Sequence, residues 1–129
     1  MSAVLLAVFR EYEQAERVRT ALVKDGFPTD RVELTANREP GQAALVPEGS
    51  RREKFAEYFR TLLSDADEQP RVAALTERVV RGAVTVTVHP RGSVETERAT
   101  AMFDRAGADE VIGHDLGNQT FEQAASPGP

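Results

Sequence analysis

Every position of the first clear element is apolar: Val4, Leu6 and Val8 alternate with Leu5, Ala7 and Phe9. Successive residues of a strand point to opposite faces, so a strand apolar on both predicts a central position covered on two sides. The period then lengthens. Ala15, Val18, Ala21 and Leu22 recur at helical spacing among Glu, Gln and Arg residues, which predicts a helix with one buried stripe, and Gly26 is its stop signal. After a turn at Pro28 to Arg31, Val32-Glu33-Leu34-Thr35 alternates as a strand with one buried face.

The same order returns after Gly82. Val84, Val86 and Val88 alternate with Thr85, Thr87 and His89, giving a strand with one apolar face and one milder face. Ser93 stands where it can cap a helix with apolar positions Ala99, Met102, Phe103 and Ala106; Glu95 and Glu97 suit the positive end of its dipole, and Gly107 closes it. Val111-Ile112 supplies a short last strand. The strands align at an offset of 80 residues (Val4 with Val84) and the helices at 81, which pairs Val18 with Ala99, Leu22 with Phe103 and Gly26 with Gly107. Strand, helix stripe and terminating glycine recurring in one order indicate duplication. Two split βαβ repeats, 3–36 and 83–115, predict an α+β, ferredoxin-like plan with an antiparallel four-stranded sheet.

Between the repeats, residues 37–49 carry Pro40, Gly41, Pro47 and Gly49 and read as an irregular connection. Ser50-Arg51-Arg52-Glu53 has the form of a capping box ahead of an apolar stripe of Phe55, Tyr58, Phe59, Leu62 and Leu63. A break at 64–69 precedes Pro70, a first-turn residue, and Val72, Leu75 and Val79 then mark a second helix. An inserted helical hairpin over 50–81 is therefore expected, within one domain over 1–116, followed by a flexible tail over 117–129 that ends "AASPGP". Two occupants suit the second apolar face of the first strand, read as Leu5, Ala7 and Phe9. One is the hairpin of the same chain, and the other is the sheet of a second copy across a twofold axis, as in a homodimer.

Three segments carry a family resemblance: "AVFREYEQAERVRTALVKDGFPTDRVELTA" from Ala7, "RVVRGAVTVTV" from Arg78, and "AMFDRAGADEVIGHD" from Ala101. Together they resemble the small bacterial general stress protein domain of the YflT, heat-induced stress protein type, with Gly82-Ala83 standing where that family carries a double glycine. The resemblance implies a stress-associated bacterial cytoplasmic protein and carries over no catalytic residue.

Composition narrows the chemistry. The 129 residues contain no cysteine, which excludes disulfides, thiolate metal sites and cysteine nucleophiles from this chain. No apolar run approaches the roughly 20 residues of a membrane-spanning helix. The opening "MSAVLLAVFR" lacks the basic start of a secretion signal and reads as a strand of a cytoplasmic protein. Net charge is −5, with three Arg against seven Asp and Glu over 83–129, so nucleic acid is not an expected partner. Arg51, Arg52 and Arg60 share their helix with Glu53 and Glu57 and read as a solvated face.

His89 and His114 are the histidines. If the first and third strands lie side by side and parallel, with the fourth antiparallel to the first, these histidines fall at opposite ends of the sheet. They would then be about 15 to 20 Å apart, too far to share a metal. The same arrangement would gather Arg10, Tyr12, His89 and Arg91 beside two helix starts, whose free N–H groups favour a phosphate or carboxylate. That makes those four residues the expected anion site, set against Glu11, Glu13, Glu95 and Glu97, which can satisfy the same helix ends. No phosphate loop, dinucleotide fingerprint, metalloprotease motif or nucleophile elbow is present, and no cofactor is implied. The expected function is a non-enzymatic module that contacts an unidentified protein partner or binds a small anion. The alternatives are a dimeric α+β barrel enzyme with a cavity on the sheet face and His89 as base, and a nucleic-acid-binding domain.

Overall fold

The computed structural model describes residues 3–38, 51–63 and 69–114. Chain order is β1 (Val4–Phe9), α1 (Tyr12–Lys24), a 3-10 turn (Thr29–Arg31), β2 (Val32–Thr35), α2 (Arg52–Leu62), α3 (Gln69–Val80), β3 (Val84–Val88), α4 (Gly92–Arg105) and β4 (Glu110–His114). The four strands form one sheet in the order β2-β3-β1-β4, and each neighbouring pair is antiparallel. The protein is thus α+β, the described residues forming four α-helices on a four-stranded antiparallel sheet.

The antiparallel four-stranded sheet is as expected, but the parallel pairing of the first and third strands, on which the expected positions of the histidines and the anion site rest, is corrected. β1 and β3 are neighbours but run in opposite directions, with Leu5 opposite Val88 and Phe9 opposite Val84. The end of β1 therefore meets the start of β3, and the loops that follow these two strands leave from opposite ends of the sheet.

All six residues of β1 are buried, because helices cover both faces. Leu5, Ala7 and Phe9 join Val84, Val86 and Val88 in a core with Ala15, Val18 and Leu22 of α1 and Ala99 and Phe103 of α4. Leu6, Val8 and Ile112 face the other way, into a core with Phe55, Phe59 and Leu63 and with Val72, Leu75, Val79 and Val80 of α3. The inserted helices do cover the second face of β1, but that face is Leu6 and Val8, not Leu5, Ala7 and Phe9. Both apolar faces of β1 are thus filled within the chain. Each large side chain buried here contributes roughly 2 kcal/mol of apolar transfer, which favours the closed form over an exposed hydrophobic face.

The glycine stops are built as expected. At the end of α1, Gly26 has φ of 114°, its N–H donates to the Val23 carbonyl, and the Phe27 N–H donates to Leu22. At the end of α4, Gly107 has φ of 86°, with N–H bonds from Gly107 to Asp104 and from Ala108 to Phe103. Both are the six-to-one and five-to-two bonds of a Schellman cap, which needs a left-handed residue at that position. The helix starts differ from expectation. The N-cap of α4 is Arg91, not Ser93, and its N–H is held by the Glu95 carboxylate at 2.8 Å. The N-cap of α2 is Arg51, and Gln69, read as the end of the break over 64–69, already belongs to α3; Ser50, residues 39–49 of the irregular connection over 37–49, residues 64–68 of the break and the tail over 117–129 lie outside the described residues.

Candidate functional site

Antiparallel pairing of β1 and β3 takes the expected anion site apart. Arg10 and Tyr12 lie past Phe9, whereas His89 and Arg91 lie past Val88, with five paired positions of sheet between them. At ~3.3 Å per residue this is about 15 Å. Each residue also has its own local role. The Arg10 side chain is 80% exposed and pairs with Asp109 at 3.4 Å, in a shallow polar cleft shared with Glu11, Gln14 and Gly107. An anion entering there would meet two carboxylates. Tyr12 donates its hydroxyl to Glu16 at 2.9 Å, which together with partial burial raises its pKa, and the Arg38 guanidinium lies 5.0 Å from the centre of its ring. Arg91 contributes its backbone N–H to the Glu95 bond.

The histidine geometry is corrected as well. His114 is the register partner of Val4, and His89 directly follows Val88, the partner of Leu5. Both therefore sit at one end of the sheet with β1 between them, about 10 Å apart at two strand spacings. Among the described residues no three His, Asp or Glu side chains group as metal ligands.

Of the four expected residues, His89 alone lines a second cleft, of about 440 Å³, between α2 and the β2–β3 margin. Alternation places Glu33, Thr87 and His89 on the sheet face that α2 covers, because Glu33 is opposite Thr87 and His89 lies two residues further along β3. From the helix come Lys54, Tyr58, Thr61 and Leu62, whose spacing of four, seven and eight residues puts them on one side of α2, next to its core-facing Phe55 and Phe59. Leu62 and the Tyr58 ring make much of the wall apolar, and the polar groups are few and converge.

Two of these polar groups, Tyr58 and Glu33, are bonded to each other. The Tyr58 hydroxyl donates to Glu33 Oε1 at 2.6 Å, and Thr87 Oγ1 lies 3.3 Å from the same phenolic oxygen. Burial, reinforced by the bond to Glu33, pushes the Tyr58 pKa up to about 12, so the phenol remains a donor throughout the physiological range. Its ring packs edge-on against the buried Phe59, with centroids 5.1 Å apart, which fixes its direction.

His89 is held by its backbone. Its N–H donates to the Arg31 carbonyl at 3.1 Å, and its carbonyl accepts from Arg31 Nη1 at 2.7 Å. The half-buried imidazole has no protein hydrogen-bond partner among the described residues and borders the cleft. Glu57 and Lys54 stand exposed at the rim. Two carboxylates against one ammonium leave the lining with a formal charge of −1 when His89 is neutral.

The hydrophobic pattern already marked Tyr58 as part of a stripe and Glu33 as the polar side of an alternating strand. What it lacked was the pairing that brings them together, since no local signal in either segment identifies the other. Arg31 was missed for the same reason. Comparison of this chain with family models, curated proteins and solved structures finds no match in any of the three.

Proposed function

We propose that this chain is a non-enzymatic small-molecule-binding module of a stress-associated bacterial cytoplasmic protein. Its architecture is read as a ferredoxin-like domain over 1–116, with β1–α1–β2 and β3–α4–β4 as the two repeats and α2–α3 as the insertion. The plan is supported by central β1 and β3, by the equivalent glycine caps of α1 and α4, and by the burial of Val18 with Ala99 and of Leu22 with Phe103 at matching positions. The stress association rests on the resemblance of the three quoted segments. No helix among the described residues is long and apolar enough to cross a bilayer.

The observation that carries the binding reading is the cleft itself: a preformed hollow with an apolar wall, a fixed Tyr58–Glu33 pair and an imidazole without a hydrogen-bond partner among the described residues. Clefts of a few hundred Å³ with few, convergent polar groups are where small molecules bind. The barrel-enzyme reading needs an open sheet face, and α2 and α3 fill that face. The nucleic-acid reading needs exposed bases to stack on the sheet, but Thr85 and Thr87 are fully buried beneath the inserted helices.

The test is a fragment screen followed by amide and histidine side-chain NMR. Shifts concentrated at Glu33, Tyr58, Thr61 and His89, and abolished in His89→Ala or Leu62→Asp, are the expected result. Fragments that collect elsewhere on the fold, or none that shift these signals, overturn it.

A further inference from the structure

The charge and fixation of the cleft point to the class of ligand. We infer that the hollow between α2 and the β2–β3 margin selects a small organic ammonium, an amine with an apolar body, over anions of the same shape; this rests on reading the cleft as a binding site. Glu33 decides the sign. It is half-buried, and the Tyr58 hydroxyl occupies one of its carboxylate oxygens at 2.6 Å, so the group is held in place with its other oxygen still able to accept. A carboxylate fixed beside an apolar wall attracts a cation more strongly than a freely solvated one does, because little reorganisation is needed and the local dielectric is low.

The opposing charge is weaker in kind. Lys54 is exposed on a flexible four-carbon stem at the rim, where water screens it, and exposed Glu57 faces the same hollow. His89 adds an imidazole nitrogen that can accept a second N–H from an ammonium. Leu62 and the Tyr58 ring supply the surface for the apolar body. The same inventory suits a carboxylate poorly: an anion seated on Lys54 would bring its charge toward Glu33 and Glu57 and displace water from all three.

Three isosteric probes separate the possibilities: benzylammonium, benzyl alcohol and benzoate, titrated into the intact chain at low salt and followed by the amide signals of Glu33, Tyr58, Thr61 and His89. Benzylammonium should bind about tenfold more tightly than benzyl alcohol, the size of one charge-assisted hydrogen bond, and benzoate more weakly still. Glu33→Gln should erase most of that preference and Glu57→Gln a smaller part. Lys54→Gln should tighten the amine. The last two are surface changes that leave the core untouched, so they carry the test if Glu33→Gln does not fold. Equal or tighter binding of benzyl alcohol or benzoate at these signals overturns the ammonium preference and leaves the binding site standing. No shift at these signals from any of the three probes, up to the solubility of each, overturns the preference together with the site.

Discussion

Arg31 Nη1 donates to the Glu95 carboxylate at 3.0 Å, linking the turn that enters β2 to the first turns of α4 across 64 residues of sequence. The same nitrogen donates to the His89 carbonyl, and the same carboxylate oxygen accepts the Arg91 N–H, so one ion pair joins three segments. The Arg31 side chain is only 15% exposed and that of Glu95 29%, which sets this pair apart from the solvated Arg10–Asp109 bridge. Arg31→Ala should destabilise the fold by about 2 kcal/mol, since it removes two charge-assisted bonds and leaves a carbonyl and a carboxylate short of a donor. Arg10→Ala should cost less than about 0.5 kcal/mol. Denaturant unfolding of both variants, with Glu95→Gln to complete a double-mutant cycle, measures the difference.

The pair also predicts an acid limb. Burial alone would raise the Glu95 pKa, but the hydrogen bonds from Arg31 and the Arg91 N–H, with both positive charges, outweigh it and lower the pKa below 4.5. A carboxyl group with a lowered folded pKa binds protons more readily unfolded. Its stabilisation is therefore present above about 4.5 and is lost as pH falls through the folded value. Stability measured from pH 6 to pH 3 should fall less steeply in Glu95→Gln than in the parent, and identical slopes would remove Glu95 from the account.

At high pH the sign reverses in origin. The Tyr58 pKa is raised, from 10 to about 12, so here the folded state holds the proton more tightly. The resulting stabilisation is complete below pH 10 and disappears as pH rises from 10 to 12. Tyr58→Phe should lose the hydrogen bond to Glu33 at neutral pH and show a flatter decline over that alkaline window. Ultraviolet titration of the parent should show a phenol ionising near pH 12, and a single transition near pH 10 would contradict the buried bond.

Much of this fold was legible in the pattern of residues, and the limits are physical. The two apolar faces of β1, the stripes of all four helices and the terminating glycines follow from periodicity and backbone conformation, which are local. Strand direction does not. Val84-Thr85-Val86-Thr87-Val88 shows the same alternation whichever way it runs beside β1, and only the path of the chain through α2 and α3 decides it. A parallel pairing would put His89 at the same end of the sheet as Arg10 and assemble the four-residue anion site; the antiparallel pairing separates them. Periodicity likewise shows that β1 has two faces to bury without saying which layer takes Leu6 and which takes Leu5. Arg31 and Glu95, like Tyr58 and Glu33, are ordinary surface-type residues until the tertiary fold brings them together.

The two glycine caps separate backbone strain from crowding. Gly26 and Gly107 both have positive φ, so alanine at either is strained by about 1 kcal/mol or more. A Cβ at Gly26 meets nothing within 4 Å, whereas one at Gly107 comes to 3.0 Å from Gln14 Nε2, which donates to the Ala106 carbonyl. Gly107→Ala should therefore lower the melting temperature more than Gly26→Ala, and Gln14→Ala combined with Gly107→Ala should bring the added loss below the sum of the two. Additive losses would show that the side chain yields without effect.

Phe59 and Phe103 are fully buried on opposite sides of the sheet, Phe59 in the core under α2 and α3 and Phe103 in the core under α1 and α4, where it packs edge-on against Phe9 at 6.2 Å. Truncating either to alanine should cost roughly 3–5 kcal/mol. The more informative question is whether the two cores unfold together. β1 supplies Leu6 and Val8 to one and Leu5, Ala7 and Phe9 to the other, so neither core can open fully without exposing part of the same central strand. Phe59→Ala should accordingly shift one cooperative transition and lower the hydrogen-exchange protection of α4 as well as that of α2. Loss of protection confined to α2 and α3, with α1, α4 and the sheet unchanged, would mean that the inserted helices open as a separate unit, giving ligands a second route to the face of Thr85 and Thr87.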